Sequence, residues 1–425
     1  MLVRALEEGI AVWLDPMRDV RSVALGVYVA GGSADEAPGA LGATHFLEHL
    51  LFKRTRRRSG AAIGRMTDRL GGDCDAYTTK EAVAFHARTT AERLGDAVDL
   101  LLDLTEAPAF TDEDVEVERS VILDEMAEAN DVPEDRLHDS FLKALWPAHP
   151  LGAPILGTEE TVRSLTRARL VERFREIFVP SRMAIMAAGA FEPERFLARL
   201  EKARRARRGR RRPRASRATG RAPVAERCVF HLPRPELTQT HLLIGSPTIP
   251  YGHPLVPAAS LASVVLGGGV SSRLWLDVRE RRGLAYHVGT SLTLHRQAGV
   301  AFIEAATAPA NLTKLVRSAG RVVKRLLEDG ATKRELARAK DQVRAEVALS
   351  LESTASRREN AARAWLYRGR PYEADEYLAE IDAVKSGQLA EAAQLLFGAT
   401  PLGLGVTGPP LTGASMEELM GELAA

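Results

Sequence analysis

The pattern of apolar and polar residues predicts six elements, two of which form a strand pair, in the first half of the chain. Apolar residues at alternate positions predict a strand at residues 20–30 and a strand pair at 71–89. Apolar residues that recur about every 3.6 positions predict helices at 41–53, 91–104 and 112–129. The order is therefore strand, helix, strand pair, helix, helix.

The second half shows the same order of patterns. A strand is predicted at 237–247, a helix at 271–282, a strand pair at 283–306, and two helices at 311–329 and 332–349. In this comparison the helix at 271–282 is the counterpart of the helix at 41–53. Matching order over a period of about 200 residues indicates two related domains rather than a solenoid.

The pattern predicts an α+β fold built from two homologous domains, each a mainly antiparallel sheet packed with helices. We place the domain boundaries at residues 1–201 and 223–425, with a linker at 202–222. The length of 425 residues and the apolar fraction of 45% are sufficient for two such cores.

A strongly basic tract separates the halves. Between Lys202 and Arg221 the chain has eleven basic residues and no acidic one, and because the total net charge is +2, the rest carries about −9. The tract is interpreted as a solvated linker. An arm for nucleic acid is the alternative, but the tract has no aromatic residue to stack on bases, so nucleic acid is not expected as a partner.

The sequence predicts a cytoplasmic protein without a membrane span. No run of 18 apolar residues is present, and Glu7 and Glu8 stand where a signal peptide needs its apolar stretch. Cys74 and Cys228 are too few for a disulfide framework, which favours a reducing compartment.

Two histidines and a glutamate share one stripe of the helix at 41–53. His45, Glu48, His49 and Phe52 lie at positions i, i+3, i+4 and i+7, whereas the other apolar residues of the helix cover its opposite side. Two imidazoles one turn apart can hold one zinc ion, and a carboxylate between them can reach a metal-bound water. The alternative is an ordinary helix that contains two histidines.

A catalytic zinc site needs a third protein ligand, which the helix at 112–129 can supply. Thr111 and Asp114 form a capping-box start for this helix. Glu118 and Glu125 are seven residues apart, two helical turns, and therefore share a face.

Four blocks together resemble the pitrilysin/insulysin family of zinc peptidases, whose motif H-x-x-E-H is an inverted zincin motif. They resemble most closely its half-size branch, the mitochondrial processing peptidases. The blocks are GGSADEAPGALGATHFLEHLLFKRT, GGDCDAYTTKE, ERSVILDEM and LGGGVSSRLWLDVRERRGLAYHV, and the resemblance extends over almost the whole chain.

The resemblance implies a role for each ionisable residue of the two helices. His45, His49 and Glu125 would bind one Zn²⁺ per chain, and Glu48 would be the general base. Glu118 would support a ligand or the electrostatics of the site.

The family also pairs an arginine with a tyrosine seven residues later, which grip the substrate backbone and stabilise the oxyanion. In this chain that spacing selects Arg279 and Tyr286 rather than Arg273, Arg281 or Arg282.

The segment CDAYTT resembles the edge strand with which the family binds extended substrates. The resemblance implies substrate contacts for Asp75, Ala76, Tyr77 and Thr78. The family commonly has asparagine where this chain has Asp75. Because a carboxylate cannot donate to a substrate carbonyl, Asp75 either favours cationic peptides or weakens binding, and the sequence leaves both open.

The resemblance implies a zinc-dependent endopeptidase that holds extended or unfolded peptides in the chamber of a dimer. Because one chain keeps both the zinc motif and the arginine–tyrosine pair, a homodimer is expected. Two alternatives stay open, a non-catalytic structural or partner subunit of the same fold and one half of a heterodimeric peptidase.

Overall fold

A computed structural model describes residues 1–6, 9–207, 220–398 and 402–424. Its contacts divide the chain into two units, each assembled from three segments of chain. The first unit comprises Met1–Ala127, Ala153–Thr219 and Ala348–Glu373, and the second comprises Glu128–Gly152, Gly220–Val347 and Ala374–Ala425. The boundaries 1–201, 202–222 and 223–425 stay a prediction about domains, as they follow the sequence rather than the packing.

The first unit contains the first predicted strand, helix and strand pair. Its elements are β1 Leu2–Ala5, β2 Ala11–Pro16, β3 Ser22–Val29, α1 Ala43–Lys53, α2 Gly60–Leu70, β4 Cys74–Thr78, β5 Val83–Thr90, α3 Leu94–Glu106, α4 Asp112–Asp131, α6 Glu159–Ser164, α7 Arg167–Ile177, β6 Met183–Gly189, α8 Pro193–Arg205 and α12 Thr354–Tyr367.

The second unit has a smaller sheet and the remaining helices. Its elements are α5 Pro133–Leu145, β7 Val229–Pro233, β8 Thr240–Thr248, α9 Val256–Gly267, a π-helical segment Trp275–Arg281, β9 Ala285–Leu294, β10 Gly299–Thr307, α10 Leu312–Asp329, α11 Lys333–Ser350, α13 Ala374–Ala383, α14 Ser386–Ala393, a π-helical segment Gln394–Gly398, β11 Gly403–Gly408 and α15 Met416–Ala424.

The two sheets have the same topology. The first sheet has the strand order β1-β2-β6-β3-β5-β4, and the second has β7-β11-β8-β10-β9. In each sheet one pair is parallel, β2 with β6 and β7 with β11, and the other pairs are antiparallel. Without β1 the two orders correspond strand by strand, which confirms the α+β fold of two related units.

The sheet of the first unit is covered on both faces. Leu25 and Val27 of β3 point to the face that packs on α1, α2 and α3 in the larger core cluster. Tyr28 points to the opposite face, where it packs with Ala361 and Ala362 of α12. The edge strand β4 therefore has a front face beside α1 and a back face beside α12.

The sequence predicts the helix at 271–282 as the counterpart of α1, and the order of elements shows that this prediction is wrong. In the second unit α9 follows β8 directly, as α1 follows β3, and the π-helical segment Trp275–Arg281 takes the place of α2. The sequence of α9, VPAASLASVVLG, is apolar almost throughout and gives no amphipathic period. Like the helix at 271–282, α9 contains no histidine pair.

The start of the basic tract belongs to the folded first unit. Helix α8 continues to Arg205, and Arg204 and Arg207 are buried against acidic side chains of α3. Arg204 Nε donates to Glu106 at 2.7 Å, and Arg207 Nε donates to Asp103 at 2.6 Å. Residues 208–219, most of the predicted linker, lie outside the described residues.

The length and apolar character that a bilayer span requires do not occur together in any helix of the described part of the chain.

Candidate metal and peptide-binding site

The N-terminus of α1 is fixed by a buried carboxylate that the sequence did not indicate. Glu36 accepts hydrogen bonds from the backbone N–H of Gly42 at 2.7 Å and of Thr44 at 2.6 Å. Gly42 has φ +85°, which favours glycine at this turn. Arg173 of α7 donates to the Thr44 hydroxyl at 3.1 Å. These contacts position the helix that carries both histidines.

Helix α4 begins as the capping pattern predicts. Thr111 Oγ1 accepts from the backbone N–H of Asp114 at 3.0 Å. The reciprocal half of the box is replaced, because the Asp114 carboxylate accepts from Arg54 at 2.9 Å instead. The helix then turns Glu118 and Glu125 toward the histidines of α1.

His45, His49 and Glu125 converge as three metal-ligand side chains. The carboxylate oxygens of Glu125 lie 3.6 Å from His45 Nε2 and 3.4 Å from His49 Nε2, and the three ligand atoms are all within 4.8 Å of one another. Ligands on tetrahedral zinc at about 2.0–2.1 Å are separated by about 3.3 Å. Because Glu125 Oε2 is buried without a hydrogen bond, the donor set fits one zinc ion.

The protonation of the two histidines is set by different surroundings. Burial lowers the pKa of His45 to about 4, so this ring is neutral at pH 7. Burial also acts to lower the pKa of His49, but the adjacent carboxylates of Glu118 and Glu125 outweigh burial and raise the pKa to about 9. Zinc binds neutral imidazole, so metal binding would release a proton from His49.

The carboxylate of Glu118 contacts Nδ1 of His49, whereas Nε2 of the same ring faces Glu125. One carboxylate oxygen lies 3.1 Å from His49 Nδ1, and the other lies 2.6 Å from Lys53 Nζ. Burial acts to raise the pKa of Glu118, but these two partners prevail and lower it. An ionised carboxylate on Nδ1 fixes the ring with Nε2 turned toward the ligand cluster.

Glu48 lies beside the edge strand. The Thr78 hydroxyl of β4 donates to its carboxylate, and burial raises the pKa of Glu48 to about 7. A carboxylate with a pKa near 7 can both accept and return a proton at neutral pH.

The four residues of β4 with predicted substrate contacts are divided between its two faces. Ala76 packs on the front core and Thr78 contacts Glu48 there. Because side chains alternate along a strand, Asp75 and Tyr77 belong to the back face. The Tyr77 hydroxyl donates to Glu359 of α12 at 2.6 Å. A side-chain contact with a peptide on the front face is therefore available only to Ala76 and Thr78.

In the second unit, three of the four arginines considered above lie beside carboxylates, and two of them donate hydrogen bonds to these groups. Arg273 donates to Glu335 at 2.7 Å, Arg282 donates to Asp277 at 3.0 Å, and Arg281 lies 4.0 Å from Asp277. The hydrogen bonds of Arg273 and Arg282 occupy part of their donor capacity, whereas Arg281 makes only the long contact with Asp277.

Arg279 differs from the other three, since among the described residues its guanidinium has neither a hydrogen bond nor an ion pair. Its Cζ lies 4.0 Å from the ring centroid of Trp275 and 4.7 Å from that of Tyr286. Tyr286 is 80% exposed. The two rings cover the flat guanidinium and leave its in-plane N–H donors free. Trp275 was not singled out from the sequence, because its contact with Arg279 depends on the π-helical turn.

Family models match most of the chain in two consecutive parts. Residues 14–159 match the family described as insulinase (peptidase family M16), and residues 164–343 match the peptidase M16 inactive domain. An uncharacterized zinc protease of Mycobacterium bovis is 36% identical over 410 residues, 94% of this chain and 92% of the relative. The uncharacterized zinc protease YmxG of Bacillus subtilis is 33% identical over 395 residues, 92% of this chain and 94% of the relative.

Solved structures share the fold at low sequence identity. A peptidase M16 inactive domain from Pseudomonas fluorescens has a TM-score of 0.88 and 20% identity, over 97% of this chain and 98% of that chain. A protease from Helicobacter pylori has a TM-score of 0.88 and 18% identity, over 96% and 99%. A chain of complex III2 from Candida albicans has a TM-score of 0.85 and 17% identity, over 100% of both. With relatives above 30% identity over nine-tenths of its length, this chain belongs to the insulinase family of peptidases, M16.

Proposed function

We propose that the chain is a zinc-dependent endopeptidase that hydrolyses extended or unfolded peptides. The observation that carries the proposal is the convergence of His45, His49 and Glu125, with Glu48 held beside them by the edge strand. The names of the relatives, zinc proteases, support the same activity. In the described ranges no second group of three such side chains converges, which supports one zinc ion per chain.

Each residue of the site has a separate role in the proposed reaction. His45, His49 and Glu125 would hold the metal, and Glu118 orients the His49 ring. Zinc, when bound, acts as a Lewis acid and lowers the pKa of water to about 7. Glu48 accepts a proton from the attacking water and returns it to the leaving amine.

The substrate would lie along the free edge of β4 as an added strand. Ala76 is small enough to let a peptide backbone approach on the front face. The unpaired N–H donors of Arg279 and the exposed hydroxyl of Tyr286 are suited to peptide carbonyl oxygens and to the developing oxyanion.

The first test is cleavage of quenched fluorescent peptides by the purified chain alone. Activity is expected to disappear on chelation, to return with zinc, and to be absent from Glu48→Gln while that variant still binds zinc. Glu125→Gln is expected to lose zinc, whereas Asp124→Asn, on the exposed side of α4, is expected to retain it. A wild-type chain that binds zinc and cleaves no peptide would favour the non-catalytic subunit, and one that gained activity with a related chain would favour the heterodimer.

We also propose a homodimer in which Arg279 and Tyr286 of one subunit serve the zinc site of the other. The support is that one chain keeps both sets of residues. A mixture of Glu48→Gln and Arg279→Ala chains tests it, because only a site shared between subunits combines an intact Glu48 with an intact Arg279. Activity should return on mixing, and Arg281→Ala, which removes a neighbouring arginine, should be active by itself. Mixed chains that exchange subunits and stay inactive would refute the shared site.

A further inference from the structure

The free edge of β4 can be identified from its hydrogen bonds to β5. Arg88 N donates to Asp73 O and Thr79 N donates to Ala82 O, both at 2.8 Å. In an antiparallel pair, hydrogen-bonded positions alternate with positions whose N–H and C=O point away. In this register the odd-numbered residues of β4 bond to β5. Ala76 therefore turns its backbone N–H and C=O to the free edge.

The N–H of Ala76 that points to the free edge already has an acceptor. Asp75 Oδ1 accepts from Ala76 N at 2.8 Å, at the exposed edge of the sheet. A peptide that adds to this edge must place a carbonyl oxygen on the same N–H. The carboxylate and the peptide carbonyl are both acceptors without a donor, so they compete for one position.

We propose that Asp75 determines substrate specificity by capping this edge, so that the site selects extended peptides with a lysine or arginine side chain on the back face of β4. This inference rests on the proposed function and concerns how its substrate binds. A peptide strand displaces the carboxylate from Ala76 N. A basic side chain next to Asp75 then gives the displaced carboxylate an oppositely charged partner, which a neutral or acidic side chain does not.

The size of the effect follows from the exposure of the contact. A net hydrogen bond contributes about 1 kcal/mol, so competition by the cap weakens a neutral peptide about fivefold. An exposed ion pair contributes up to about 1 kcal/mol, so a lysine peptide recovers a similar factor. Edge strands commonly carry charged residues that oppose pairing with other chains, and here the charge would also choose among peptides.

The test measures peptide binding to the zinc-loaded full chain in the Glu48→Gln background, by fluorescence anisotropy. Three labelled peptides would differ at one position, with lysine, glutamine or glutamate. Asp75→Ala should bind the glutamine peptide about fivefold more tightly and lose the preference for lysine over glutamate. Asp75→Asn keeps an acceptor for Ala76 N and removes the charge, so it should lose only the preference.

Asp73→Asn is the matched control, because Asp73 lies two residues away and its carboxylate is paired with Arg88 at 2.7 Å. This variant should bind the glutamine peptide within twofold of the affinity of the unsubstituted chain, and its preference for lysine over glutamate should also stay within twofold. The inference is overturned if Asp75→Ala does not bind the glutamine peptide more tightly, or if Asp75→Ala still prefers the lysine peptide to the glutamate peptide. If the peptides rank as expected but the active chain cleaves none, the proposed peptidase activity fails and the role of Asp75 in binding stands.

Discussion

The buried carboxylate of Glu36 should stabilise the first unit by anchoring the helix of the two histidines. Glu36 is 6% exposed and accepts the backbone N–H groups of Gly42 and Thr44. Replacement by alanine leaves both donors buried without that acceptor. Hydrogen bonds to a charged group contribute about 1.5–3 kcal/mol each, which gives an upper value of about 3–6 kcal/mol.

The net loss should be smaller than that upper value. Burial raises the pKa of Glu36 even though Gly42, Thr44 and Arg173 act to lower it, so the charged form is not fully compensated. We therefore expect Glu36→Ala to lower the free energy of unfolding by about 2–3 kcal/mol. For a unit of about 200 residues this corresponds to a fall in Tm of about 4–12 °C.

Thermal unfolding of the zinc-free chain would measure this change, with Glu176→Gln as the control. Glu176 pairs with the same Arg173 at 2.9 Å, but it is on the surface. A surface ion pair one turn apart on a helix contributes about 0.3–0.5 kcal/mol, so the control should melt within about 2 °C of the wild type. A Glu36→Ala chain that melts like the wild type, or a control that loses as much, would refute the capping argument.

Three further changes test other parts of the structure. Glu118→Gln should weaken zinc binding about 10- to 100-fold in a dye-competition assay, because it removes the charged partner of a ligand, whereas Glu116→Gln should not. Asp103→Ala should lower the free energy of unfolding by about 1.5–3 kcal/mol in chemical denaturation, because it removes one charged acceptor of the buried Arg207, which keeps Asp99 at 3.4 Å. Hydrogen bonds from Arg273 lower the pKa of Glu335 to about 2, so this carboxylate stabilises the fold above pH 4.5 and loses that effect as the pH falls toward 2. Glu335→Gln should make the unfolding free energy of the second unit less dependent on pH in that range, and an unchanged slope would contradict the assignment.

Local patterns in the sequence were sufficient where the contact lies within one element. Helical periodicity placed His45, Glu48 and His49 on one stripe, and the cap at Thr111 set the start of α4. The prediction failed where the pattern itself was uninformative, as in α9, whose apolar residues surround the whole helix.

Contacts between distant segments could not be predicted in this way. Tyr77 donates to Glu359, which is 282 residues later, and Glu36 shares the α1 terminus with Arg173. Nothing in the local sequence around Glu36, Arg173 or Glu359 distinguishes these residues from ordinary surface charges. Their partners are chosen by how the helices cover the sheet.

Residue types at short spacings within each helix predict the candidate ligands, and the resemblance of four sequence blocks indicates the family and the choice of Glu125. The fold was needed to show that Arg279, unlike Arg273 and Arg282, has neither a hydrogen bond nor an ion pair among the described residues, and that the Asp75 carboxylate accepts from Ala76 N. The physical reason is that spacing fixes which residues share a helix face. Free donors and capped edges depend on which groups from elsewhere in the fold have already taken each hydrogen bond.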